Sequence, residues 1–351
     1  MPFDIETPAV LVDLDIAEAN IDRFQSYCSS HGIRCRPHIK THKLPFLARR
    51  QVAAGAVGIT CQKISEAEAM IADGGLEDVL LTYNVVGQAK LARLVGLARK
   101  VRLSVVADSE AVVRGLSGAF AGTGVTLAVL VECDTGAHRC GVMTPEAARD
   151  LAIVIDRSAG LTFGGLMTYP PVGAARAVEN FMVSARDLCA AAGITVPVIS
   201  SGGAPDMWTA HLSPAVSEYR SGTYVYNDRS LVARKVCGWD DCALTVLATV
   251  VSTPEPARAV IDAGTKILTS DLLGLAGYGH VLGRPDLRID QLSEEHGRIT
   301  ADGPTGLSVG DQIRIVPNHA CVVSNMVDSL HTLRDGRPAG VVAVAGRGRL
   351  V

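Results

Sequence analysis

The sequence predicts an α/β fold, a (β/α)8 TIM-like barrel followed by a mostly β C-terminal domain. Short β-rich apolar runs alternate with Ala-rich segments of helical spacing from about residue 30 to about residue 225. Eight such runs can be counted, which is the number that closes a barrel. After Tyr226 the helical pattern fades, and short β runs separated by Gly, Pro and Asp turns take its place.

The strand candidates are, in order, "GIRCRPH" (32–38), "AVGITCQ" (56–62), "EDVLLTY" (77–83) and "VRLSVVAD" (101–108). "VTLAVLVECD" (125–134), "LTFGGLMTY" (161–169), "VPVISSGG" (196–203) and "SEYRSGTYVY" (217–226) complete the set. Between them, "LPFLARRQVAA", "ISEAEAMIADG" and "TPEAARDLAIVIDRSAG" carry helical spacing, and two of the three end on Gly. Thr144 and Pro145 are placed as an N-cap and first helical residue. The barrel is expected over residues 16–230. The β domain is expected over 231–351, from "ALTVLATVVSTP" through "DQIRIVPNHACVV" to "VVAVAGRGRLV", with the early run 7–15 pairing into it.

Composition excludes several classes. The 351 residues are 48% hydrophobic and 20% charged, enough to bury a large core. A net charge of −3 and a pI near 6.3 give no footprint for nucleic acid or for an anionic membrane. No apolar stretch is long enough to span a bilayer, and the N-terminus lacks a secretory pattern. Nine scattered cysteines without framework spacing read as reduced thiols of a cytoplasmic protein.

In a barrel, reactive groups gather at the C-terminal ends of strands, and phosphate binds the loops after the seventh and eighth. Lys40 and His42 follow the first strand in "RPHIKTHK", where Lys43 reads as solvated. Asp134 and Arg139 lie in "CDTGAHRCG" after the fifth, and Tyr169 ends the sixth. "SSGGAP" and "RSGTYVY" end the last two, small residues that let backbone N–H groups approach a phosphate. An amine and a phosphate site at one barrel mouth point to a Schiff base with a phosphorylated aldehyde. In "PNHAC", His319 and Cys321 are two apart. On a strand both would leave one face, and imidazole with thiolate suits Zn²⁺. "GLAGYG" (274–279) lacks the strand–helix setting of a dinucleotide loop and is set aside.

Together "RPHIKTHK", "GITCQKISEAE", "CDTGAHRCG", "SGGAP", "YRSGTYVYND" and the opening "TPAVLVDLDIAEANI" resemble fold type III pyridoxal-phosphate enzymes. More closely they resemble the D-threonine aldolase and D-serine dehydratase family, whose barrel is alanine racemase-like. The resemblance implies that Lys40 binds pyridoxal 5'-phosphate covalently, that Arg139 faces its phenolic oxygen, and that Tyr169 lies beside it. Ser201, Gly202, Gly203, Gly222, Thr223 and Tyr224 would surround the phosphate. His319 and Cys321 would hold a divalent metal, Zn²⁺ or Mn²⁺, with His319 acting in catalysis alongside Lys40. The implied activity is a lyase on D-β-hydroxy-α-amino acids. D-threonine aldolase-type cleavage to glycine and an aldehyde stands first. A D-serine or D-3-hydroxyaspartate dehydratase giving a keto acid and ammonia comes next. An amino-acid racemase and a non-catalytic pyridoxal-phosphate carrier remain as further alternatives. A homodimer is implied by the same resemblance.

Overall fold

Parallel strands covered on both faces need nearly continuous apolar sequence, and the middle runs, such as "VRLSVVAD" and "VTLAVLVECD", come nearest to it. In this computed structural model, which describes residues 3–351, the chain forms two units. One comprises Arg23–Lys40, Pro45–Gly222 and Arg349–Val351. The other comprises the residues up to Asp22, Thr41–Leu44 and Thr223–Gly348.

The chain first lays down β1 (Ala9–Asp13), which belongs to the second unit. The first unit then contributes β2 (Arg34–Cys35), β3 (Ile59–Cys61), β4 (Asp78–Asn84) and β5 (Arg102–Ala107). It continues with β6 (Leu127–Cys133), β7 (Leu161–Thr168), β8 (Ile199–Gly202) and β9 (Glu218–Arg220). Every pairing among them is parallel, in the order β2-β9-β8-β7-β6-β5-β4-β3. A parallel bridge between His38 and Thr60 joins the two ends of this path, so the sheet closes as a barrel. Leu80, Val106, Leu130 and Met167, one from each of β4 to β7, form a buried apolar layer.

Helices follow the strands at Pro45–Ala53, Ile64–Ile71, Gln88–Ala98, Glu110–Phe120, Pro145–Asp156 and Ala175–Ala191. The Thr144 hydroxyl accepts the Ala147 N–H at 3.2 Å with Pro145 in the first turn, the cap expected from "MTPEAARD". The connection after β8 is instead a 3₁₀ segment, Met207–Leu212, bracketed by Pro205 and Pro214, which limit continuation as an α-helix. The last strand is also shorter than "SEYRSGTYVY" suggests. It stops at Arg220, and Thr223–Val225 turns as a 3₁₀ segment.

In the second unit, β1 lies between β10 (Leu244–Glu255), antiparallel to it, and the parallel β16 (Ser329–Arg334). β11 (Arg258–Ile261), β12 (His280–Val281), β13 (Arg288–Leu292), β14 (Gly297–Thr300), β15 (Gln312–Val316) and β17 (Arg337–Ala343) complete the sheet. Ala9, Leu11, Leu247 and Leu333 pack at its centre with Phe3 and Ile5 against them. "NHACVV" is not a strand. His319 is the extended N-cap of a helix, Ala320–Met326, that carries Cys321 in its first turn.

Candidate active site

Charged side chains inside a barrel must be paired, because a lone ion loses its hydration there. The first unit solves this with a chain of bonds from strand to strand. The Arg36 guanidinium donates to Asp78 at 2.6 Å and to Glu218 at 2.8 Å. Ser200 Oγ donates to the other Glu218 oxygen at 2.8 Å and accepts from Arg220 at 2.6 Å. Arg220 also donates to the Thr168 carbonyl at 2.8 Å. Burial lowers the Arg220 pKa to about 10 against the charges of Glu218 and Glu132, and the guanidinium stays charged at neutral pH. Burial likewise pushes the Glu132 carboxyl up, opposed by the charges of Arg139 and Arg220.

Lys40 lies in the 3₁₀ turn Ile39–Thr41 that follows β2. Its backbone N–H donates to His38 Nδ1 at 3.3 Å. That ring therefore carries its proton on Nε2, which donates to Gln62 Oε1 at 3.2 Å. Three lysines stand near the expected position, and only one amine is available. Lys63 sits over the Tyr83 ring at 4.6 Å. Lys43 is buried, and its amine donates to Asn325 Oδ1 at 2.7 Å and to the Gly346 carbonyl at 3.3 Å. It is thus a structural residue and not the solvated one its loop position suggested. The Lys40 amine has no hydrogen-bond or ion-pair partner among the described residues.

Arg139 and Tyr169 come together, the guanidinium 4.7 Å from the ring centroid, and Tyr169 is 42% exposed. The loop before Arg139 is built on Asp134, whose carboxylate accepts the N–H groups of Gly136 at 2.8 Å and His138 at 3.1 Å. Burial raises the Asp134 pKa, but these bonds outweigh it and hold the carboxyl below the ordinary range. An exposed aromatic face beside a cation, with a free amine in the same unit, fits a planar anionic aldehyde such as pyridoxal phosphate.

Ser201 is buried at the end of β8. A Cβ on Gly202 would stand 2.3 Å from the Arg220 carbonyl oxygen, so this glycine lets β8 and β9 approach. Gly203, at φ +128°, donates its N–H to the Arg220 carbonyl at 3.0 Å and accepts from the Tyr219 hydroxyl at 2.9 Å. Gly202→Ala is accordingly expected to lower stability by about 1–3 kcal/mol, as overpacking does. Urea denaturation checks this, and an unchanged midpoint would contradict the close approach. Gly222 is the last residue of the Pro45–Gly222 segment of the first unit.

The second unit gathers Thr223, Tyr224, His319 and Cys321. Tyr224 is buried beside Thr223 in the 3₁₀ turn. Thr41, the residue after Lys40 in the chain, brings its hydroxyl 3.2 Å from Cys321 Sγ, and the Thr223 hydroxyl is at 3.4 Å. His319 Nδ1 is 2.8 Å from Asp271 Oδ2, and Cys321 is a second electrostatic partner of the ring. Burial disfavours the imidazolium, but Cys321, Asp271 and the charge of Asp228 outweigh it and raise the His319 pKa to about 9. Burial raises the Cys321 thiol, yet the bond to and charge of His319 and both threonine hydroxyls bring it below its ordinary value. An imidazole and a readily ionised thiol are a soft donor pair suited to Zn²⁺. No cluster of three or more His, Cys, Asp or Glu side chains fit for a metal forms among the described residues, so water or substrate would complete the shell.

Sequence reasoning missed Arg220, Glu218 and Glu132, although charged residues inside the apolar strand candidates were a visible signal. It also missed Thr41 and Asp271, which had none.

Residues 12–230 match the family model described as "Alanine racemase, N-terminal domain", and residues 243–333 match "Putative serine dehydratase domain". D-threonine aldolase of Arthrobacter sp is 33% identical, over 98% of this chain and 93% of that protein. The crystal structure of D-threonine aldolase from Filomicrobium marinum has a TM-score of 0.92 at 33% identity, covering 99% of this chain and 97% of that one. A cysteine-to-alanine mutant of D-threo-3-hydroxyaspartate dehydratase, in the metal-free form, has a TM-score of 0.86 at 30% identity. It covers 98% of this chain and 99% of that one. With barrel, β domain and full-length similarity in agreement, the chain belongs to the fold type III pyridoxal-phosphate enzymes, in the family that joins an alanine racemase N-terminal domain to a putative serine dehydratase domain.

Proposed function

We propose that the protein is a lyase of D-configured β-hydroxy-α-amino acids, cleaving Cα–Cβ to give glycine and an aldehyde. Pyridoxal phosphate would be held by Lys40, and a divalent metal by His319 and Cys321. His319 and Cys321, each the other's electrostatic partner, carry this reading, because a racemase or a carrier has no use for a metal-type donor set in the β domain. Supporting it, one solved relative is a dehydratase described by whether it holds metal.

Bound pyridoxal phosphate supplies an electron sink for the bond broken at Cα. Lys40 would hold the cofactor and, as a free amine, could move a proton at the substrate. Arg139, 4.7 Å from the Tyr169 ring centroid, would offer its cation to an anionic oxygen of the cofactor. Ser201, Gly202, Gly203 and Gly222, followed in the chain by Thr223 and Tyr224, are the small-residue turns that would supply N–H and hydroxyl donors to the cofactor's phosphate. The Thr41 and Thr223 hydroxyls hold the Cys321 sulfur. His319 and Cys321 would hold the metal, which would supply Lewis-acid chemistry toward the substrate's β-hydroxyl.

Supplied separately with D-threonine, D-serine and D-threo-3-hydroxyaspartate, the enzyme is expected to release glycine and the matching aldehyde. Keto acid and ammonia with no glycine would overturn the aldolase reading and establish the dehydratase, which a solved relative's activity favours. Interconversion of enantiomers that survives chelation would identify a racemase, and cofactor binding without product a carrier.

We infer that the enzyme is a homodimer of the cytoplasm. The nine cysteines are all free, and no helix among the described residues is long and apolar enough to cross a membrane. Sedimentation at the mass of one chain would contradict the dimer.

A further inference from the structure

Between the helix Thr265–Leu268 and β12 runs a loop with an unusual backbone for its sequence. Thr269 has φ +66° and Leu273 φ +50°, and neither is glycine. A β-branched residue in the left-handed region is an outlier that persists only where its surroundings enforce it. Between these two lies Asp271. Its N–H is accepted by the Thr269 hydroxyl at 3.1 Å, and its carboxylate reaches His319 Nδ1 at 2.8 Å.

The loop is tied to the residue before that histidine. Asn318 Nδ2 donates to the carbonyls of Asp271 at 3.1 Å and Gly277 at 2.9 Å. Arg229 donates to Asn318 Oδ1 at 3.0 Å and to the Gly277 carbonyl at 3.2 Å. The segment "GLAGYG" thus has a use unrelated to nucleotides. Gly277, at φ +75°, passes so close to β13 that a Cβ would stand 2.7 Å from the Ile289 carbonyl oxygen. Every one of these ties holds the loop backbone, and only the Asp271 carboxylate is directed at His319.

We infer that Asp271 is a positioning residue for metal binding: its carboxylate fixes the ring angle and tautomer of His319, and the 269–279 loop is built to deliver it. With the Nδ1 proton held by Asp271, the lone pair lies on Nε2, the nitrogen left to a metal. Carboxylate partners of this kind orient ligating histidines and raise their donor strength. The inference rests on the reading of His319 and Cys321 as metal ligands.

The test is metal titration of chelator-stripped protein with Zn²⁺ alone and with Co²⁺ alone, in wild type, Asp271→Ala and Asp271→Asn. Asp271→Ala is expected to weaken Zn²⁺ binding about 10–100-fold. Asp271→Asn is expected to weaken it less, because an amide oxygen still accepts the Nδ1 proton. The metal-free variants should melt close to wild type, since Asn318 holds the loop through its backbone. In the Co²⁺ form the thiolate-to-metal absorption should persist in both variants while the ligand-field bands change, a signature that loss of loop structure alone would not give. Wild-type affinity in Asp271→Ala overturns the inference. If that variant does not fold, wild-type affinity and an unchanged Co²⁺ spectrum in Asp271→Asn overturn it. Failure of wild type to bind either metal overturns the underlying reading instead.

Discussion

Lys40→Ala is expected to lose the borohydride-fixable link to pyridoxal phosphate and to lower turnover by at least about 10²–10⁴-fold, the usual contribution of a positioned acid–base group. The reason is availability. An amine committed to hydrogen bonds must break them before it attacks a carbonyl. Lys43 donates to Asn325 and Gly346 from a buried position, and Lys63 is occupied by the Tyr83 ring. Lys40 has no such partner among the described residues. Peptide mapping after borohydride reduction should place the cofactor on residue 40, and label on 43 or 63 would sink the assignment. Lys43→Ala is the matching control. It should keep the link but destabilise the fold by about 1–3 kcal/mol, because it strands buried acceptors.

The same contrast shows what could be read from the sequence. The barrel was legible because eight apolar runs with helical spacers have few other solutions, and Lys40 was singled out because it follows the first of them. Lys43 was misread, since a lysine three residues further along the same basic loop carries no sign that its amine is buried. Arg220 and Glu218 were overlooked for a related reason: in a linear text their charges look like the solvated end of a strand. Inside the barrel they complete a bonded chain with Arg36 and Ser200. The spacing of His319 and Cys321 suggested a pair on a strand. The residues do meet, but across an N-cap and the first turn of a helix. That helix was invisible because "ACVVSNM" is short and rich in β-branched residues. Asp271 lies 48 positions from its partner, a separation that no local pattern can report.

His319→Ala and Cys321→Ala should each abolish tight metal binding and reduce lyase turnover at least about a hundredfold, the scale of losing Lewis-acid stabilisation worth several kcal/mol. The pH dependence follows from the metal-free pair. With a pKa of about 9, the His319 ring is protonated at neutral pH, and a metal must displace that proton. Cys321, lowered by the same partner, competes less, because its thiolate forms more readily than an ordinary thiol's. Affinity should therefore rise with pH, about tenfold per unit between pH 7 and 9, and level off above. Flat affinity across that window would mean that the metal displaces no proton from His319 there. The pair also gives a readout independent of turnover. His319→Ala removes the charge that lowers the thiol most directly, leaving burial opposed only by the Thr41 and Thr223 hydroxyls. Iodoacetamide should then modify Cys321 more slowly at pH 7.5 than in metal-stripped wild type, as followed by peptide mapping, and bound Zn²⁺ should protect the wild-type residue. Equal rates would show that the two side chains do not act as a pair, and would leave the β domain without the donor set on which the lyase reading depends.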